Sequence, residues 1–455
     1  MRISKPLVVL ASVAMMLSMA HAQTYTTIYS FDGSTAAYPE APLVQGRDGN
    51  LYGTTNRGGT YGLGTIFRIA PGGTQFKVLH NFAGSDGSYP SGLVLASDGN
   101  FYGTAGGGSF DDGVIFRINS GSFTVLYNFT GGTDGSDPQN SLIQGTDGSF
   151  YGANKAGVYS YQPSGTPEIF YSFSYPQPLG GVWQLTQGTD GMLYLVVGSG
   201  GVYDCGSISR LSLQGAVQWE RDFGTYGECY EYLKTGFGPS APVIQASDGN
   251  LYGTNYWGGS YGYGTAFRLY SDTGSPTVLE SFDFSNGGYP DAGVVQGSDG
   301  NLYGVASAGG AYPYAGVIYQ LTLEGTYTFL TNVGDWQENN SDWRLLQHTS
   351  GTFYGVNLAG GTYEEGAVYS FNNQLAPFVA FVQSQGSVGS TVQILGQGLT
   401  GTTQVTFNGV PATDISVLSN TYMTAVVPSG ATTGTVVVTT PRQSLKSNKK
   451  FTILQ

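Results

Sequence analysis

Histidine, cysteine and charge are all scarce in this chain of 455 residues, which holds three histidines, two cysteines and only 10% charged residues. Apart from His21 near the N-terminus, the histidines are His80 and His348. Two histidines far apart cannot supply a three-histidine zinc site, and they leave little room for a Ser-His-Asp triad. No Cys-x-x-Cys pair occurs, and no Asp-x-Asp-x-Asp-Gly calcium loop is present. No cofactor or metal is therefore expected. Seventeen basic residues stand against 30 acidic ones, a net charge of −13. Phosphate binding needs a basic surface, so a nucleic-acid partner is not expected. The acidity reads instead as solubility outside the cell. No long stretch carries the 3.6-residue period of an amphipathic helix. After Ala20 no apolar run is long enough to cross a membrane, so no span is expected in the mature chain.

What the chain does have is glycine (72) and aromatics (33 Tyr and 24 Phe), the composition of short strands joined by tight turns. With 40% hydrophobic residues it can bury a core. Residues 1–22 are read separately. Arg2 and Lys5 precede an apolar run from Pro6 to Ala20, and Ala20-His21-Ala22 is the small-x-small pattern of a cleavage site. This is expected to be a secretory signal peptide, which makes the protein secreted, extracellular, or held in the periplasm or on the cell surface. An exported chain meets oxidising conditions, so Cys205 and Cys229 are expected to form a disulfide.

The segment Asp48-Gly49-Asn50-Leu51-Tyr52-Gly53-Thr54 recurs unchanged at Asp248 to Thr254. Related segments open at Asp98, Asp147, Asp190, Asp299 and Ser350, seven copies in all. The spacing is close to the length of a four-stranded propeller blade. One period divides into strand a (Pro42–Gln45), an Asp-Gly turn of the two-residue type I′ kind, and strand b (Leu51–Thr55). A Gly-rich loop, strand c (Thr65–Ile69) and strand d (Phe76–Phe82) follow. The seventh copy stops after its strand c, while Thr26 to Phe31, ahead of the first copy, has the pattern of a strand d. That N-terminal strand is expected to complete the last blade and close the ring, leaving few sheet edges exposed.

These motifs resemble the GloVer-type tandem repeats of exported, choice-of-anchor bacterial proteins. The resemblance rests on Gln45-Gly46-Arg47-Asp48-Gly49-Asn50-Leu51-Tyr52-Gly53-Thr54 with Gly58-Gly59 and Phe67, and on Gln296-Gly297-Ser298-Asp299-Gly300 with Gly309-Gly310. It covers roughly residues 25–373, with departures at Leu195 and Ser350, and it implies an exported propeller without bringing an activity. After Leu375 the composition changes. The runs Ser387–Leu399, Val405–Val410, Ala425–Gly430 and Gly434–Thr439 resemble an IPT/TIG domain, which implies a spacer or contact module. The three lysines in Ser444–Lys450 read as a solvated hairpin. The expected fold is all-β, a seven-bladed β-propeller (23–374) followed by an immunoglobulin-like IPT/TIG β-sandwich (375–455).

Two familiar motifs dissolve into this frame. Gly258-Gly259-Ser260-Tyr261-Gly262 fits a nucleophile elbow but is the counterpart of Gly58-Gly59-Thr60-Tyr61-Gly62. Gly396-Gln397-Gly398-Leu399-Thr400-Gly401 fits a dinucleotide fingerprint but no helix follows it. In a propeller the d–a and b–c loops share one face and the a–b and c–d turns share the other. The first face gathers Tyr38, Tyr89 and Tyr289 before prolines, and Tyr61, Phe110, Trp257, Tyr261, Tyr312 and Tyr363 in b–c loops. It also carries the acid pairs Asp111-Asp112 and Glu364-Glu365. Exposed aromatics suit stacking on sugars or gripping a protein, whereas repeated ones suit packing blade on blade. The reading is a non-catalytic binding protein for an extracellular polysaccharide or a surface protein. The alternatives are a carbohydrate hydrolase or lyase using the loop carboxylates, and a structural matrix protein.

Overall fold

The computed structural model describes residues 23–119, 121–173, 183–224, 229, 234–311, 316–333 and 344–454. Residues 1–22, expected to be a signal peptide, and Tyr312 lie outside the described residues. Among those described there is no helix, and seven antiparallel sheets follow one another along the chain. Blade 1 is Val44–Gln45, Leu51–Thr55, Thr65–Ile69 and Lys77–Asn81. The b strands of blades 2 to 6 are Phe101–Ala105, Phe150–Asn154, Leu193–Val197, Leu251–Trp257 and Leu302–Ala306. In blade 7 the N-terminal strand Thr24–Ser30 pairs with Ala367–Asn372, so the two ends of the propeller close one sheet.

The repeated hairpin is not the expected two-residue turn. Gly46 N–H donates to Asn50 O (2.9 Å) and Gly49 N–H to Gly46 O (3.0 Å), which leaves a three-residue loop, Arg47-Asp48-Gly49. Gly49 has φ +76°, while Asp48 is not in the left-handed region. This is the pattern of a turn followed by a glycine bulge, and it needs only one positive φ. The aspartate that sequence pattern assigned to turning the chain is thereby free to bond. Asp48 accepts from Asn50 N–H (3.1 Å) and, four residues on, from the Tyr52 hydroxyl (3.0 Å). The same tyrosine-to-aspartate bond recurs in blades 2 to 6, from Tyr102, Tyr151, Tyr194, Tyr252 and Tyr303. Sequence reasoning gave this tyrosine a packing role only.

Two devices fasten blade to blade. The glutamine ending each strand a accepts a backbone N–H from the preceding blade: Ser97 to Gln144, Thr146 to Gln187, Thr189 to Gln245, Ser247 to Gln296, Ser298 to Gln347 and Thr349 to Gln45. Blade 2 has Leu95 at that position, and there the Arg47 guanidinium reaches across to Ser97 O instead (2.9 Å). The second device is aromatic. The ring that ends one strand d meets the strand-c ring of the next blade, as in Phe31–Phe67 (5.4 Å), Phe82–Phe116 (5.5 Å), Phe129–Tyr159 (5.4 Å) and Phe282–Tyr319 (5.1 Å). All these rings are buried, where edge-to-face pairing adds to area burial.

Beyond the propeller, two sheets face each other. One pairs Ala380–Phe381, Thr391–Leu395, Tyr422–Val426 and Ile415–Val417, and the other Val410–Pro411, Gln404–Phe407, Val436–Thr439 and Ser444–Lys446. Val392, Ile394, Phe407, Met423, Val438 and Phe451 fill the space between them. Alternation along Thr391–Leu395 and Val436–Thr439 sends every second side chain into this core.

Candidate functional site

The sandwich is docked on the face of the Asp-Gly turns. Thr421 Oγ1 donates to Arg47 O (2.7 Å), Gln397 Nε2 to Thr349 Oγ1 (3.1 Å), and Gln393 bonds both Arg47 and Ser97 O. Leu395 and Tyr422 join the core between blades 1 and 2. These contacts belong to blades 1, 2 and 7, and Gln383 Nε2 adds a bond to Gly145 O of blade 3 (3.3 Å). The strands a of all seven blades surround a central cavity of about 410 Å³, whose wall also includes Phe381 and Leu395 of the sandwich. The sandwich therefore caps the channel on the Asp-Gly side. Its wall mixes aliphatic side chains with serines and glutamines, and Asp291 and Arg344 are its charged members.

None of the loop aromatics or acids singled out in the sequence lines this cavity. Tyr61, Phe110, Tyr261 and Tyr363 project from b–c loops with about 60% of their surface exposed (62, 60, 59 and 59%). Tyr38, Tyr89 and Tyr289 hold an unusual conformation, with φ of +54°, +50° and +55°. Each donates its backbone N–H to a b–c loop of the preceding blade, at Glu365 O, Leu63 O and Tyr263 O (2.8–2.9 Å). Their repetition is thus explained by backbone linkage. Tyr38 is further covered by the Arg57 guanidinium, 5.2 Å from its ring centre.

The acid pairs stay apart. Asp111 and Glu364 occupy equivalent left-handed turn positions in blades 2 and 7 (φ +64° and +60°), with blade 1 between them. Both are exposed. Asp112 lies against Gly131 and Glu365 against Gly33. Cys205 and Cys229 are joined by a disulfide. His80 stacks on Phe123 of the next blade (3.6 Å) and pairs with Asp86 (3.0 Å). His348 is buried, with Nε2 at 3.1 Å from Gly49 O, so it joins blade 7 to blade 1. Among the described residues no three His, Cys, Asp or Glu side chains come together as a metal site.

What distinguishes one part of the loop face is a cluster of rings at the junction of blades 5 and 6. Tyr289 stacks on Tyr256 (5.1 Å) and meets Trp257 edge-on (5.1 Å) and Tyr263 edge-on (5.7 Å). Tyr263 in turn meets Phe284 (5.0 Å). In blade 1 the residues matching Tyr256, Trp257 and Tyr263 are Asn56, Arg57 and Leu63, so the repeat does not require this cluster. Trp257 keeps 38% of its surface exposed while its ring is braced from behind. The sequence signal was present in Tyr256 and Tyr263, which went unremarked beside Trp257. The channel residues Asp291 and Arg344 were missed altogether.

The Gloeobacter/Verrucomicrobia repeat model matches residues 14–181 and 181–413, and the IPT/TIG domain model matches residues 377–453. Among solved structures, the chain is similar to the extracellular domain of a protein described as a hybrid two component system from B. thetaiotaomicron, at 15% identity and a TM-score of 0.52. That match covers 95% of this chain and 55% of the other. A second similar structure is the extracellular domain of a protein described as a one component system from the same organism, at 11% identity and a TM-score of 0.53, covering 93% of this chain and 52% of that one. The chain thus spans about half the length of these structures, and the likeness is one of fold. No curated protein matches the chain.

Proposed function

This chain belongs to the Gloeobacter/Verrucomicrobia repeat family and carries a C-terminal IPT/TIG domain, and on that footing we propose that it is an exported, non-catalytic binding protein. Its ligand, an extracellular polysaccharide or surface protein, is taken on the b–c/d–a loop face. The observation that carries this reading is the braced cluster of Tyr256, Trp257 and Tyr289 at the junction of blades 5 and 6. Rings already held by neighbouring rings lose little freedom on binding, so their apolar faces are available to a sugar ring or an apolar side chain at low entropic cost. The capped channel and the acids scattered over separate loops favour retention of a ligand over chemistry on it.

The test is a glycan array probed with the protein beginning at Gln23, beside its Trp257→Ala variant. Binding to one glycan class that falls at least roughly tenfold in the variant supports the carbohydrate form, in line with the weight of aromatic anchors in recognition. Absence of binding to every glycan would sink it and leave a protein ligand, sought by the same comparison on whole cells. Trp257→Ala binding equal to wild type in both settings removes the loop cluster from the function.

A further inference from the structure

On the other side of the sandwich's docking site lies a second cavity. The sandwich is bonded to blades 1, 2, 3 and 7, and beside these contacts a cleft of about 560 Å³ lies between it and the Asp-Gly turns of blades 3 to 5. This lies within the roughly 300–1,000 Å³ of small-ligand pockets. Its wall includes Arg344 from blade 7, Lys449 and Lys450 from the sandwich, and a polar floor that includes Gln187, Gln245 and Gln296. Arg344 also lines the channel, so the cleft and channel share a wall there.

The repeat itself does not call for a charge at the place of Arg344. Strand pairing puts Gln347 opposite Phe353 as it puts Gln45 opposite Leu51. Counting back from those glutamines and their equivalents, the place of Arg344 is held by Pro42, Gly92, Ser141, Gln184, Pro242 and Gly293 in the other blades. A propeller blade is thus built six times without a charge there. Lys449 arrives from the segment that sequence reading treated as a solvated hairpin. Among the described residues neither Arg344 nor Lys449 forms an ion pair. The one acid on the cleft wall, Asp248, has its oxygens engaged by Asn250 and Tyr252. Burial holds the Arg344 guanidinium below its ordinary value. Two cations thus line one cleft of an acidic chain, and the acid on its wall is already engaged, an arrangement that an anion would complement.

We propose that this inter-domain cleft is a second binding site, for a small ligand whose carboxylate, sulfate or phosphate group sits between Arg344 and Lys449. The planar guanidinium supplies paired donors to two oxygens, and the ammonium neutralises the remaining charge. The surrounding glutamine, threonine and serine side chains give the rest of such a ligand a polar bed. The site is distinct from the loop face, and neither depends on the other.

Titration calorimetry at low ionic strength tests it, with inorganic sulfate, inorganic phosphate, digalacturonate and neutral maltose as probes of the chain beginning at Gln23. Anions are expected to bind and maltose not. Tighter binding of digalacturonate identifies an acidic sugar, whereas equal binding identifies a free oxyanion; both support the site. Arg344→Gln and Lys449→Gln are each expected to weaken binding by roughly tenfold or more, the scale of a charge-assisted contact. Lys446→Gln, in the same segment but off the cleft, is expected to change nothing, as is Trp257→Ala. Lys449 is exposed on the sandwich, so its variant stays informative should Arg344→Gln fold poorly. No binding of any anion, or binding that both folded cleft variants leave unchanged, overturns the proposal.

Discussion

The Arg47 guanidinium lies 4.5 Å from the centre of the Tyr422 ring, one residue from the first blade and the other from the sandwich. Arg47 interrupts the ring of glutamine links, and in the same stroke it reaches Ser97 and Gln393. It crosses over Gly99, where a Cβ would collide with the guanidinium. One side chain thus replaces an inter-blade bond and fixes the second domain.

Arg47→Ala is expected to lower stability by about 2 kcal/mol, through loss of the cation–π contact and of charge-assisted bonds. Thermal unfolding of the full chain measures it. Tyr422→Ala, which also removes a buried ring, is expected to cost more, and the double variant less than the sum. Strict additivity would show that the two side chains do not interact.

The hairpin aspartates predict a stability dependence at both ends of the pH scale. For Asp98, burial alone would raise the carboxyl, but hydrogen bonds from Asn100 and Tyr102 outweigh it and the net shift is downward. Asp248 behaves likewise with Asn250 and Tyr252. A folded value below the unfolded one, near 3.9, gives stability that is present above about pH 4 and lost as pH falls through the folded values. Tyr102 moves the other way, raised to about 12 by burial and then by Asp98. Its contribution is complete below the ordinary value of 10.0 and lost as pH rises beyond it. Chemical unfolding of Asp98→Asn beside wild type is expected to show a shallower acid limb. An unchanged limb would remove the aspartate from the acid response.

His348 predicts a separate effect near neutrality. Burial pushes its imidazole down to about 4, against a smaller opposing pull from Gly49 O. Its Nδ1 accepts from Ser350 N–H (3.2 Å), which leaves the proton on Nε2 to donate to Gly49 O. Between about 4 and 6.5 the unfolded chain binds a proton that the folded chain refuses, so stability declines as pH falls through that window. The difference in unfolding free energy between wild type and His348→Gln is expected to shrink as pH drops from 7 toward about 4. A difference constant with pH would refute the buried neutral imidazole.

Loss of the Cys205–Cys229 disulfide, which spans a sequence separation of 24, is expected to cost about 3 kcal/mol by releasing chain entropy in the unfolded state. The Cys205→Ser/Cys229→Ser variant in thermal unfolding measures it. Peptide mapping without reduction is the direct check, where two free thiols would contradict the bridge.

The blades were legible because their signals are local. Alternation, the spacing of Asp-Gly and the unmatched N-terminal strand are properties of neighbouring residues, and they gave the repeat and its closure. The hairpin was misjudged in detail because Asp-Gly serves both a two-residue turn and a three-residue loop with a glycine bulge. Only the bond from Gly46 to Asn50 separates them. The loop tyrosines were placed on the right face, but their reason for recurring, a backbone N–H reaching the preceding blade, leaves no mark on side-chain pattern.

The sequence by itself determined a ring of aromatic-rich blades and a second β domain, because turn chemistry and period-two burial act within a few residues of one another. Tertiary structure alone decided where the second domain docks, that it caps the channel, and that Arg344 and Lys449 line one cleft. Those facts depend on shape complementarity between surfaces distant in the chain. Arg47, Gln393 and Tyr422 carry that complementarity as single residues in otherwise ordinary repeats, and no local pattern announces it.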